Sequence, residues 1–183
     1  MNRFASFIKI TGVLFIVSSI AAFSLYFGLR GLLNQPPVII WVPFAHLTFY
    51  HDQHPVPYLL SICLIFALIG ALWLTVIAPK FSKYQHLQMA LLPFLTVLLT
   101  GPIWGMLWVY DDMRAGFFPP FPVMMGYIGS GAKQGLFLSL NGAIASFPLN
   151  VVAYAVAYLL LLAVARRFGP RQSMNASAIQ AGG

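Results

Sequence analysis

Apolar residues in this chain gather into four unbroken runs instead of alternating with polar ones at the spacing of a water-facing helix. The runs are Ile10–Gly28, Tyr58–Ala78, Leu87–Tyr110 and Phe147–Ala165, and none contains Asp, Glu, Lys or Arg. A helix rises about 1.5 Å per residue, so roughly 20 residues match a hydrocarbon core of about 30 Å. Each run is long enough to cross a bilayer. The pattern predicts an all-α integral membrane protein, a four-transmembrane-helix bundle with short interfacial or re-entrant segments on its outer face. A single transmembrane domain is expected over residues 1–172. The small, polar residues 173–183 are expected to form a disordered cytoplasmic tail.

The stretches between the runs carry their own signals. Pro36 and Pro37 stop the first helix, and Val38–Tyr50 is an apolar run too short to span, with Trp41, Phe44 and Tyr50 suited to the headgroup layer. Pro57 opens the second span at a first-turn position, where its missing N–H costs nothing. The loop from Pro79 to His86 is short, so spans two and three are antiparallel neighbours. Pro93 and the pair Gly101-Pro102 predict a bend in the third span, with Thr96 and Thr100 placed to donate to carbonyls near it. That span closes on Trp104, Trp108, Tyr110, Asp111 and Asp112, an outer-interface signature. Continued by one turn, it would let Asp111 pair with Arg114.

Residues 116–146 are rich in breakers. Phe117–Pro122 holds three prolines and cannot be helical, and Gly126, Gly129, Gly131 and Gly135 follow. A helix is expected only from Ala132 to Ser146, with Leu136, Leu140 and Ile144 as an apolar row. Pro148 separates that short helix from the fourth span.

Composition and charge agree with the pattern. The chain is 60% hydrophobic and 7% charged, against about 25% charged in a soluble domain. The net charge of +7 is accounted for by orientation, because cytoplasmic loops are enriched in Lys and Arg. Arg3, Lys9, Lys80, Lys83, Arg166, Arg167 and Arg171 fall on one side. Arg30, Arg114 and Lys133 fall on the other, with every acid in the chain, Asp52, Asp111 and Asp112. The expectation is an inner-membrane protein of bacterial type with both termini cytoplasmic and no affinity for nucleic acid. The first run resembles a signal peptide in its basic start and its Ser19-Ile20-Ala21. At 19 residues it exceeds the roughly 7–15 of a secretory core, so it is expected to stay as a span. The single cysteine, Cys63, lies within the second span and forms no intrachain disulfide.

Groups able to do chemistry are few. His46, His51, Asp52 and His54 cluster in the first outer loop, and Asp111 and Asp112 lie on the same side of the membrane by the charge rule. Met113, Met124 and Met125 share that side. Imidazole and carboxylate suit zinc or copper(II), and thioether suits copper(I), but no spacing here matches a metal motif. His86 is on the opposite side, a hydrocarbon thickness away, and cannot share a haem with the outer histidines. Adjacent Asp111 and Asp112 are not the facing pair of an aspartyl protease. No acid or base interrupts the spans, where ion and proton pathways place them.

The sequence therefore leads to a non-catalytic accessory, assembly or protective subunit that binds another membrane protein or forms a homo-oligomer. No cofactor is expected. The alternative is an outer-face copper or zinc protein, or one that binds or transports a small solute. The expected interaction residues are Gly131, Gly135, Ser139 and Gly142, which fall near one helical stripe. Small residues let backbones approach where lipid offers no hydrophobic drive.

Overall fold

The computed structural model describes residues 3–33, 55–77, 85–116, 124–145 and 149–168, all of them helical but for the turn at 115–116. Helix α1 is Arg3–Leu33, and α2 is Pro55–Leu72 continued by one π-helical stretch, Trp73–Ile77. Helix α3 is Gln85–Arg114, α4 is Met124–Ala145 and α5 is Leu149–Phe168. Helices α1, α2, α3 and α5 each contain a stretch long and apolar enough to cross a membrane. Helix is the form such a sequence must take in lipid, where each backbone N–H and C=O needs a partner within its own segment.

The four long helices close into a ring in which α1 packs on α2, α2 on α3, α3 on α5 and α5 back on α1. One core fills it, built from Ile10, Leu14, Phe66, Ala67, Ala71, Trp73, Leu74, Met89, Leu92, Leu161 and Val164. Gly70 lets α2 come close at the centre: a Cβ there would lie 2.9 Å from both Leu14 Cδ1 and Leu161 Cδ2. At one end of the ring the start of α1 and the end of α5 meet, with Lys9 Nζ 5.4 Å from the centre of the Phe168 ring. Arg114 stands at the other end.

Helix α3 runs unbroken through Pro93 and Pro102. Each proline removes one N–H and frees the carbonyl four residues earlier. Thr96 Oγ1 donates to Leu92 O at 2.9 Å and Thr100 Oγ1 to Thr96 O at 2.6 Å. The hydroxyls thus satisfy themselves in the interior, on carbonyls near the prolines but not those the prolines free (Met89 and Leu98). The helix continues through Asp111 to Arg114 and stops at Gly116, whose φ of 85° is the left-handed conformation that glycine takes without a Cβ penalty. The Gly116 N–H donates to Met113 O at 3.0 Å.

Helix α4 departs from the sequence expectation. It begins at Met124, eight residues before the expected Ala132, and passes through five glycines without a break. Glycine weakens an isolated helix by roughly 1 kcal/mol per residue, so the compensation comes from outside α4. It lies in the contact with α3, the most extensive between any two helices. The break expected at Pro148 falls between the end of α4 and the start of α5, and residues 146–148 are outside the described set. So are Val38–Tyr50, Phe117–Pro122 and the tail from residue 173.

Candidate functional site

The α3–α4 contact is where the expected interaction residues sit. Gly131, Gly135 and Ser139 are buried, and they face α3 of the same chain. A Cβ on Gly101 would overlap Ser139 and the Gly135 carbonyl, and one on Gly105 would overlap the Gly131 carbonyl. In the other direction, a Cβ on Gly131 would overlap the Gly105 carbonyl and Val109, and one on Gly135 the Gly101 carbonyl. Position rises along α3 as it falls along α4, so the helices are antiparallel, and they stay flush over two turns.

The contact is backbone on backbone. Where a Cβ would project toward a carbonyl, glycine instead points an Hα, and such Cα–H···O contacts contribute about 0.5–1 kcal/mol each. Ser139 Oγ donates back to Gly135 O at 2.8 Å, so this polar side chain of the seam is satisfied within its helix. Gly142 lies on the same stripe by helical spacing. Gly101 and Gly105 complete the seam from α3, beyond the expected contact residues, and Gly101-x-x-x-Gly105 repeats the spacing of Gly131-x-x-x-Gly135. That repeat is the sequence signal for the contact, whereas the Gly101-Pro102 pair read alone suggests a bend.

Three further pairs of polar side chains join helices. Trp73 Nε1 donates to Gln88 Oε1 at 2.8 Å, linking the π-helical stretch of α2 to the first turn of α3. Trp104 Nε1 donates to Ser61 Oγ at 2.7 Å, linking the same two helices nearer the Arg114 end. His86 Nδ1 lies 2.9 Å from the Tyr158 hydroxyl of α5. Cys63 is a buried free thiol.

Of the expected metal ligands, His46, His51, Asp52 and His54 lie outside the described residues. Asp111 and Asp112 close the last turn of α3, with Asp112 half-buried. Among the described residues no group of three or more His, Cys, Asp or Glu side chains comes together to hold a metal. Met113, half-buried, and Met125, exposed, are at the same end of α3 and the start of α4. Compared with known proteins, the chain matches no family model, no curated protein and no solved structure.

Proposed function

We propose that this protein is a non-catalytic accessory, assembly or protective subunit of another membrane protein, set in a bacterial-type inner membrane with both termini in the cytoplasm. The observation that carries the reading is how its polar side chains are spent. Trp73, Gln88, Trp104, Ser61, His86 and Tyr158 join one helix to another, and Thr96, Thr100 and Ser139 bond back along their own helices. This is the chemistry of helix adhesion. Helix α4, hung on α3 outside the ring, enlarges the perimeter on which a partner can rest. Because α3 occupies Gly131, Gly135 and Ser139, a partner's contact must come through the rest of that perimeter. The orientation is supported by the seven-to-three basic asymmetry and by Lys9 and Arg167 gathering around Phe168 at the end where Arg166 also lies.

Purification of the full chain from its native membranes in a mild detergent tests this. A second membrane protein is expected at fixed stoichiometry. A chain that elutes alone, as a monomer or homo-oligomer, overturns the accessory reading. The orientation is tested by cysteines at Gln53 and Ser82, each in a Cys63→Ser background. Only the first should react with an impermeant thiol reagent in intact cells, and equal labelling would reverse or discard the map.

A further inference from the structure

The outward face of α4 changes chemistry along its length. Ser130, Lys133, Phe137, Leu140 and Ile144 are all exposed, Phe137 at 66% and Ile144 at 73%. At 100° per residue they form one stripe, and its centre lies roughly 180° from that of the Gly131, Gly135 and Ser139 seam. The stripe is polar toward the Met124 end and apolar toward Ala145, with the change between Lys133 and Phe137.

The seam gives this change a depth. Gly131 and Gly135 face Gly105, so Lys133, lying between them, is level with Gly105 of α3. Trp104 and Trp108 flank that level, and tryptophan gathers at the membrane interface. From Gly105 back to Gln85 is 20 residues of α3, about 30 Å of helix rise, one hydrocarbon thickness. The α4 stripe thus turns apolar at the level where a bilayer spanned by α3 from Gln85 would have its boundary. Beyond Gly135, the ten residues to Ala145 carry α4 about 15 Å further along α3.

We propose that α4 enters the leaflet at the Arg114 end as a re-entrant helix. Lys133 holds the phosphate of a phospholipid there, and the acyl chain lies along Phe137, Leu140 and Ile144. The order of polarity along the stripe is that of a phospholipid, charged partner above and hydrocarbon below. The ammonium complements a phosphodiester, and its flexible stem reaches toward the headgroups. A second copy of the chain on this stripe is disfavoured, because a two-fold contact centred on it sets Lys133 against Lys133. The proposal does not depend on the accessory reading and can fail without it.

Two measurements on the full chain test it, in vesicles or nanodiscs of equal parts phosphatidylglycerol and phosphatidylcholine. In a Cys63→Ser background, nitroxide labels are placed at Ser130→Cys and Ile144→Cys. The label at 144 should be relaxed by oxygen and shielded from a water-soluble relaxant, and the label at 130 the reverse. Equal access from water at both overturns the re-entrant placement. Native mass spectrometry should find phospholipid retained by the wild type and by Lys133→Arg, and retained about fivefold less by Lys133→Ala and Lys133→Met, the loss expected for one lysine near an anionic surface. Equal retention by all four overturns the phosphate site. A photo-crosslinker at Phe137 that captures a protein in native membranes, with no lipid adduct, assigns the stripe to a partner and also overturns it.

Discussion

The ring core and the α3–α4 seam hold helices together by opposite means. In the ring, side chains such as Leu14, Phe66, Trp73 and Leu161 fill the space between backbones. In the seam there are almost no side chains, and carbonyls of Gly101, Gly105, Gly131 and Gly135 stand against the facing helix. Both are answers to the same condition. Lipid tails are as apolar as leucine, so helices associate through packing and hydrogen bonds and not through escape from water. A core of side chains can give a little when one is trimmed or enlarged, by rotamer changes in its neighbours. A backbone contact has nothing that can give. Added atoms should be worst in the seam, and removed atoms worst in the ring.

The largest effect is expected from Gly135→Leu. Overpacking a core costs about 1–3 kcal/mol and occasionally more, and here the obstacle is the Gly101 carbonyl, so about 3 kcal/mol or more is expected. Thermal unfolding of the detergent-solubilised protein should shift down sharply, with α4 released from α3. An unchanged melting temperature would break the seam half of the comparison outright.

A matched pair sharpens it. Gly105→Ala adds a single methyl against the Gly131 backbone and should cost about 2 kcal/mol. Gly70→Ala adds the same methyl in the ring, but it meets only the Cδ1 of Leu14 and the Cδ2 of Leu161, far ends of flexible side chains. That change should stay below about 1 kcal/mol. Equal shifts in the two melts would mean that backbone and side-chain contacts respond alike, contrary to the argument.

The two regions also differed in how far the sequence disclosed them. The four spans were legible because lipid selects for long uncharged runs, and helices α1, α2, α3 and α5 appear where those runs lie. The seam was half legible. Gly131, Gly135 and Ser139 were seen as a contact stripe, but which helix they meet depends on the turn between α3 and α4, which no local pattern records. The early start of α4 was hidden for a related reason. Gly126 and Gly129 lower helix propensity when read alone, and the α3 contact that offsets this is tertiary. The interhelical bonds Trp73–Gln88 and His86–Tyr158 were not foreseen, since a pair 15 or 72 residues apart leaves no spacing signal.

Removing atoms from the ring gives the next effect. Leu161 is fully buried and lies against Gly70 and Leu14 at the ring's centre. Leu161→Ala leaves a cavity and should cost about 2 kcal/mol, the low end for such changes in water-soluble cores. The reason for the low end is that the unfolded reference in a membrane keeps leucine in apolar surroundings. A companion Ser139→Gly removes two heavy atoms from the seam and should move the melt less than Leu161→Ala does. If it moves it more, the seam depends on the Ser139 side chain and not on its backbones.

A further effect, smaller than those of Gly135→Leu, Gly105→Ala and Leu161→Ala, concerns the polar bridges of the ring. Gln88→Leu keeps an apolar side chain of similar reach but strips the acceptor from Trp73, whose indole is buried with 3% exposure. In water-soluble interiors a stranded donor costs about 1–3 kcal/mol. Interhelical hydrogen bonds in membranes average only about 0.6 kcal/mol and reach about 1.7, because the reference state also finds partners. A loss near the upper membrane value is expected, since Trp73 opens the π-helical stretch and has little freedom to turn toward another acceptor. The check is thermal unfolding of Gln88→Leu beside Gln88→Asn, which keeps the amide but shortens its reach. Both should be destabilised, the Asn form less if a water bridges the gap. A Gln88→Leu protein as stable as the wild type would mean that the ring is held by its apolar side chains alone. The two regions would then differ only in the size of the groups that touch.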